Sequence, residues 1–211
     1  MTPDPGATAR TRARYQRIAP LYDRIEAMAE GRYRSWRSHL WSLVRGPKVL
    51  EVGVGTGKNM PFYPPGVEVT AVDLTPGMLE RARRRAADLN LDVDLRLGDV
   101  QALDFPGAAF DDVVGTFTFC SVPNPVLGLR ELARVVKPGG RVLLLEHVRA
   151  ANPLVGALMD ALNPLVVRMM GANINRRTVE NVARSGLRLE GVQDLGAGSI
   201  FKLIVARRNE G

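Results

Sequence analysis

An apolar run, Val49-Leu50-Glu51-Val52, opens directly into Gly53-Val54-Gly55-Thr56-Gly57, with glycine at every second position. A run of β-branched residues and leucine reads as a buried strand, and alternating glycines let the backbone turn tightly and approach a ligand that any Cβ would hold off. The pattern predicts a nucleotide-binding turn after a first core strand. Its spacing is G-x-G-x-G rather than the G-x-G-x-x-G of dinucleotide folds, and Glu51 stands two positions before the first glycine.

The residues that follow extend this frame. Lys58 to Tyr63 has room for a short helical turn before Pro64-Pro65-Gly66 breaks it, and Val67 to Asp73 reads as a second strand ending in an acid. Asp73 lies 16 residues past Gly57, near where a βαβ nucleotide fold places a carboxylate on the ribose hydroxyls. Thr75 and Pro76 start a helix reaching about Leu89, with Arg81, Arg83, Arg84 and Arg85 facing water. Val93 to Leu97 is a third strand, followed by Gly98-Asp99-Val100. Ligands of open α/β sheets bind beyond the carboxyl ends of the strands, so Asp99 is either a contact for a base edge or a helix N-cap. Phe110 to Phe119 is a fourth strand that should bring Phe117, Thr118, Phe119, Cys120 and Ser121 to the crevice. Pro125 to Val136 makes the next helix, closed by Lys137-Pro138-Gly139-Gly140, and Arg141 to Glu146 a fifth strand. His147 follows at the rim, as a structural residue or a base. Arg176 to Ser185 is a last helix, and Leu187 to Leu195 and Ile200 to Ala206 form a closing hairpin around Gly196-Ala197-Gly198.

Two segments fall outside this alternation. Before the glycine loop, residues 1 to 7 read as disordered and Ala9 to Ile18 as a helix. Pro20 restarts the chain; Leu21, Ile25 and Met28 mark a second short helical stripe, and Tyr33, Trp36, Leu40, Leu43 and Val44 a third that ends at Gly46-Pro47. This arm could cover the nucleotide loop, with Tyr15 and Tyr22 as its exposed aromatics, while His39 on a helix flank is structural. After the fifth strand, Asn152-Pro153 and Asn163-Pro164 each look like a helix start. The segments they open carry Leu154, Leu158, Leu162, Leu165, Val166, Met169 and Met170, with very few charges. Such an insertion suits a greasy lid, an interfacial helix pair or plain packing on the sheet.

Length and composition bound the rest. The chain of 211 residues fits one domain, here a basic helical arm over 1–46 on a core over 47–211. No uncharged apolar run is long enough to span a membrane, no signal-peptide core opens the chain, and the single Cys120 cannot form an internal disulfide. A cytoplasmic setting is expected. Of the net charge of +7, residues 1 to 45 supply +5, from nine arginines against Asp4, Asp23, Glu26 and Glu30. This favours an anionic partner, a membrane surface or nucleic acid, with a merely solvated helix surface as the equal alternative.

At this point the motifs become specific. Glu51 to Gly57, Asp73, Gly98-Asp99 and the Arg134-Val-Val-Lys-Pro-Gly-Gly-Arg141 turn resemble the class I S-adenosylmethionine methyltransferases, across residues 47 to 206. The arm Tyr15-Gln-Arg-Ile-Ala-Pro-Leu-Tyr22-Asp23 is similar to the start of quinone C-methyltransferases and of bacterial phosphatidylethanolamine N-methyltransferases, and Val49 to Gly57 is especially like the latter. Phe62 to Gly66, Cys120 to Asn124 and Glu146-His147-Val148 resemble a membrane-associated animal group of thiol methyltransferases. All three relatives take lipophilic acceptors.

The resemblance implies an α/β, doubly wound Rossmann-like sheet of seven strands, mostly parallel with the last antiparallel. It implies S-adenosylmethionine as cofactor and S-adenosylhomocysteine as product. Glu51, Gly53, Gly55 and Gly57 would meet the methionine part, Asp73 and Leu74 the ribose, and Asp99 and Val100 the adenine, with Tyr15 and Thr116 completing the cofactor set. Phe119, Cys120, His147 and Met159 would face the acceptor, and His147 and Tyr22 are the catalytic candidates. No metal is expected. Because the glycine loop meets an uncharged nucleoside rather than a pyrophosphate, the carboxylate of Glu51 is tolerable there.

The leading expectation is a peripheral, inner-membrane-surface enzyme that methylates the amine of phosphatidylethanolamine, with arginines on anionic headgroups and residues 153–170 receiving a lipid tail. Quinone C-methylation and thiol S-methylation are alternatives. An RNA methyltransferase and a non-catalytic S-adenosylmethionine-binding protein are more remote. Amino-directed DNA enzymes carry an Asn/Asp-Pro-Pro-aromatic motif where this chain has Phe119-Cys-Ser-Val-Pro123, and loop spacing disfavours a dehydrogenase.

Overall fold

The apolar run before the glycine loop forms β1 (Lys48–Val52), buried at every position after Lys48. A computed structural model describes residues 2–209, leaving aside the side chains of Ile25, Glu26, Met28, Ala29, Met170 and Ala197. The expectations placed on Ile25, Met28 and Met170 therefore lie outside the described side chains.

Parallel strands need crossover connections, and α-helices supply two of the four here, the other two being loops. β2 (Glu68–Asp73), β3 (Asp94–Leu97), β4 (Phe110–Thr116) and β5 (Val136–His147) join β1 in parallel, and β6 (Leu187–Leu195) and β7 (Phe201–Arg208) form the final hairpin. The order is β3-β2-β1-β4-β5-β7-β6, with β7 antiparallel to both neighbours. This is the expected seven-stranded sheet. Helices α3 (Pro76–Asp88), α4 (Pro125–Val135) and α6 (Thr178–Ala183) follow β2, β4 and the insertion. Alternate β1 residues point to opposite faces: Leu50 and Val52 join a core with Phe119, Leu129 and Leu132, and Val49 joins one with Leu40, Trp41 and Leu79.

Several boundaries differ from the sequence reading, each for a physical reason. The first helix, α1 (Pro5–Ile18), begins earlier than expected because Asp4 caps it, its Oδ1 accepting from the amides of Gly6 and Ala7 at 2.8 and 3.2 Å, with Pro5 at the first helical position. The two stripes after Pro20 merge into α2 (Tyr22–Ser42). Gly31 costs such a helix about 1 kcal/mol, and the burial of Leu40 and Trp41 exceeds it. The Lys137 to Gly140 turn extends β5 as a bulged start, in which Val136 pairs with Phe110 and Arg141 with Asp112. Residues 153–170 are one helix, α5 (Pro153–Met170), with Pro164 inside it. Asn152 caps α5, but Asn163 does not start a second helix. Its side chain instead holds the following loop, accepting from the Ile174 amide at 2.9 Å and donating to Asn173 Oδ1 at 3.2 Å.

At the edge of the sheet opposite the glycine loop, Arg141 and Asp112 form a buried pair. Arg141 Nε and Nη2 donate to the two Asp112 oxygens at 3.0 and 2.9 Å, and Asp112 also accepts the Arg45 amide at 2.7 Å. Removing one member leaves a charge out of water. Asp112→Ala is expected to lower the unfolding free energy by about 3–5 kcal/mol in urea titrations, and pairing Asp112→Leu with Arg141→Met should recover most of that loss.

Candidate active site

The glycine loop is shaped from two sides. Gly53 has φ +68°, and a Cβ there would lie 2.4 Å from Thr118 Oγ1, so this glycine lets the β4 loop close over β1. The amides of Gly53 and Val54 both donate to the Val72 carbonyl, at 2.8 and 3.1 Å. Gly55, at φ +56°, differs: nothing lies nearer than 4.0 Å to a Cβ built there. Its open face borders a cavity, which is the arrangement that lets a ligand approach backbone. Gly57 is a packing glycine, its Cβ position taken by Met60 Sδ at 2.7 Å.

That cavity is open to solvent, with about 710 Å³ of space free of atoms when the open solvent is included. Gly53, Gly55, Asp73, Leu74, Asp99, Val100 and Thr116 line it, as do Tyr15 and Tyr22 from the arm. Asp73 Oδ2 accepts the Gly55 amide at 2.9 Å and Oδ1 accepts the Thr75 amide at 2.8 Å. Burial raises its pKa against the pull of these amides. Asp99 is both a turn residue and a cavity residue, accepting the Gln101 amide at 2.9 Å and the Thr8 hydroxyl at 3.0 Å.

Helix α1 forms part of the cavity wall through Thr11 and Tyr15. It is tied down by Arg12 Nε to the Leu74 carbonyl at 2.9 Å and by Gln16 Oε1, which accepts the Gly77 amide at 2.9 Å. Asp23, at the start of α2, accepts from Thr56 Oγ1 at 2.6 Å and from Arg85 Nη2 at 3.2 Å. Arg81 donates to the Pro20 carbonyl at 2.9 Å. Two of the four α3 arginines expected to face water thus fasten the arm; Arg83 and Arg84 are exposed.

Behind the glycine loop lies a polar cluster. Glu51 Oε1 accepts from Asn59 Nδ2 at 2.7 Å, Oε2 accepts from the Tyr63 hydroxyl, and Asn59 Oδ1 accepts from Arg37 Nη1 at 2.8 Å. Asn59 Nδ2 also reaches Thr116 Oγ1 at 3.0 Å. Burial dominates over these donors and pushes the Glu51 pKa up to about 7. A smaller recess joins Glu51, Arg37, Lys58 and Asn59 to Tyr22, Thr116 and Phe117. Sequence reasoning missed Arg37 and Asn59; the position of Asn59, two residues past the last glycine, was the available signal.

The acceptor-side expectations fare differently. Phe117, at φ +52°, turns the chain out of β4, and with Thr118 and Ser121 it lines the cavity. Phe119 points the other way into the hydrophobic core and is fully buried, because the turn reverses the strand alternation. Cys120 is buried, with its thiol on the Phe117 carbonyl at 3.2 Å. Met159 Sδ accepts the Ala150 amide at 3.3 Å, away from the cavity wall. His147 sits in edge contact with Phe201, ring centroids 5.2 Å apart, and Phe201 in turn meets Phe117. Burial lowers the His147 pKa, and the residue does not line the cavity. A general base must reach the proton it removes directly or through one water, so this placement counts against that role. Glu146, which the sequence reading left unused, holds the cavity loop instead, Oε1 accepting the amides of Thr118 and Phe119 at 2.9 and 3.0 Å. Its burial also pushes its pKa up to about 7.

These features, a glycine loop, a ribose-height carboxylate and a third acid along one sheet edge, coincide with known proteins. The family model described as a methyltransferase domain matches residues 50–144. A phosphatidylethanolamine N-methyltransferase of Cereibacter sphaeroides is 43% identical over 113 residues, a match covering 52% of this chain and 56% of that relative. The chain thus spans little more than half the length of that protein. A demethylmenaquinone methyltransferase of Deinococcus radiodurans is 34% identical over 165 residues, covering 75% of this chain and 68% of the relative. Among solved structures, an S-adenosylmethionine-dependent methyltransferase of Thermotoga maritima superposes with a TM-score of 0.73 at 19% identity, covering 94% of this chain and all of that one, which supports the fold. The chain belongs to the S-adenosylmethionine-dependent methyltransferase family, and S-adenosylmethionine is its cofactor.

Glu51 and Glu146 both titrate near 7 in the folded chain against an ordinary 4.5, so each favours folding less once ionised. Their contribution is complete below pH 4.5 and is lost as the pH rises through about 7. Glu146→Gln is expected to gain about 2–3 kcal/mol on the wild type between about pH 5 and pH 8 in thermal melts. A constant difference across that range would contradict the assignment.

Proposed function

We propose that this methyltransferase acts on a lipophilic acceptor at a membrane surface, with the amine of phosphatidylethanolamine as the leading substrate. One observation carries the reading. On α5, Leu154, Leu158, Leu162, Leu165 and Met169 recur at four- and three-residue spacing along one face, and their exposures run from 45% to 81%. An apolar row of this length left in water is unfavourable and marks a surface meant to be covered. A bilayer interface fits a helix that lies flat, since no helix among the described residues is long and apolar enough to cross. The 43% identity to a phosphatidylethanolamine N-methyltransferase supports this acceptor. Quinone C-methylation is the second reading, favoured by the longer match to the demethylmenaquinone enzyme.

The cavity fits the cofactor on its own features: the open face of Gly55, the carboxylate of Asp73 two strands' width from Thr116, and Asp99 beyond β3. When bound, S-adenosylmethionine supplies a methyl group already activated on a sulfonium. Gly53 and Gly55 would border its amino-acid part, with Glu51 in the adjoining recess and Gly57 shaping the loop from behind on Met60; Asp73 and Leu74 would meet its ribose and Asp99 and Val100 its base, with Tyr15 and Thr116 on the walls. The protein then has to orient an acceptor lone pair and keep water out. Residues 1–46 act in this reading as a lid on the core over 47–211, with α1 shielding the cavity and Tyr22 at its mouth. For an amine, the apolar surroundings of Phe117 and Val122 favour the neutral, reactive form, because desolvation disfavours the ammonium.

Asp73→Ala should weaken S-adenosylmethionine binding by roughly 100-fold in calorimetry, since it removes a buried acceptor of charged hydrogen bonds; unchanged affinity would overturn the site. Transfer of labelled methyl into phosphatidylethanolamine, rather than into demethylmenaquinone, from a total lipid extract tests the acceptor. His147→Gln is expected to leave the pH profile of that transfer unchanged from about pH 6 to pH 9, and loss of an ascending limb near neutrality would restore the histidine as a base.

A further inference from the structure

Helix α1 has a second face, beside the one that walls the cavity. Arg10, Arg14 and Arg17 follow at four- and three-residue spacing, so they share one stripe of the helix. Arg168, in the last turn of α5, joins them around a groove completed by Ile18 and Met169. The two helices meet at Gly171, the left-handed cap of α5, where a Cβ would lie 3.3 Å from Arg14 Cδ and 3.6 Å from Tyr15 Cε2.

The charge of this groove is uncompensated. Among the described residues none of the four arginines makes an ion pair or a hydrogen bond, and no acid lines the groove. Exposed arginines elsewhere are either paired, as Arg84 with Glu80 and Arg96 with Asp94, or scattered singly, as Arg32, Arg83, Arg130 and Arg184; here four line one groove. Four converging guanidiniums repel one another, and an anion with several oxygens, such as a phosphate, relieves that repulsion while accepting their forked donors. Met169 stands in the groove and is also the last member of the apolar row on α5. Phosphate-binding donors and an apolar row are therefore continuous on one surface. A nucleic acid would satisfy the arginines and leave the row in water; a bilayer with anionic headgroups covers both.

We infer that the groove between α1 and the C-terminal end of α5 seats the phosphate of an anionic phospholipid, at a site separate from the methyl-transfer cavity, while the α5 row enters the same bilayer. This rests on the membrane-surface reading above. It adds a consequence: α1 carries Thr11 and Tyr15 on the cavity wall and the arginines on the neighbouring face, so the docking helix is also the lid.

Vesicle flotation tests the site without turnover. The full chain is expected to float with phosphatidylcholine vesicles containing phosphatidylglycerol and far less with phosphatidylcholine alone. Replacing Arg10, Arg14, Arg17 and Arg168 by Gln should remove the anionic increment, by roughly 5-fold per arginine, and leave calorimetric S-adenosylmethionine binding intact. Replacing Arg32, Arg83, Arg130 and Arg184 by Gln removes the same charge elsewhere and should retain most of the increment; equal loss in both variants would reduce the effect to net charge and overturn the site. Inorganic phosphate should displace the vesicles beyond chloride at matched ionic strength, as a phosphate seat requires; no such excess, or tighter binding to RNA than to the anionic vesicles, would also overturn it. Because flotation needs no acceptor, a failure to methylate lipid leaves this result readable. Conversely, lipid methylation without an anionic increment sinks the groove alone.

Discussion

The carboxylates along the C-terminal edge of the sheet set the shape of everything above it. Asp73 takes up the amides of Gly55 and Thr75, Asp99 that of Gln101, and Glu146 those of Thr118 and Phe119, while Glu51 draws in Asn59 and Tyr63. A buried acceptor must find donors, and here the donors belong to the loops that enclose the cavity. Each loop is held from below by an acid of a strand or of the turn just after it. The cost appears in the raised pKa values of Glu51, Asp73 and Glu146, all caused first by burial. Stability is given up at the site to fix its geometry.

This arrangement explains what could be read from the sequence. The strands and helices follow from alternating apolar runs, the sheet they form was implied by the family resemblance, and the glycine loop, Asp73 and Asp99 were legible because backbone conformation and strand-end position constrain their identity. Phe119 and Cys120 were misplaced for a reason internal to the chain: Phe117 adopts a left-handed conformation, which a phenylalanine does not announce, and the residues after it change sides. Pro164 looked like a start because proline usually is one, yet Asn163 spends its side chain on the next loop. Glu146 was read as part of a motif but given no role, because it reads as a polar end to an apolar strand. Its importance lies in two amides that are distant in sequence.

The family assignment and the acceptor rest on different parts of the molecule. The matched family region, residues 50–144, ends inside β5, before α5 begins. The chemistry of methyl activation belongs to that shared part, whereas the apolar row and most of the arginine groove lie in the segments on either side of it. Two relatives with different acceptors are therefore compatible with one core. In the reading advanced here, acceptor choice is a property of the arm and the insertion.

The lid helix also has a place in time. Thr8 meets Asp99 across 91 residues of chain, and α1 is fastened to Leu74 and Gly77 as well. It leaves the ribosome before β2, α3 and the turn after β3, and cannot dock until they exist. Such contacts between distant segments form late, because loop closure precedes any gain from them. During synthesis, α1 is thus an undocked basic segment, able to meet an anionic surface before the cavity it will cover has been built.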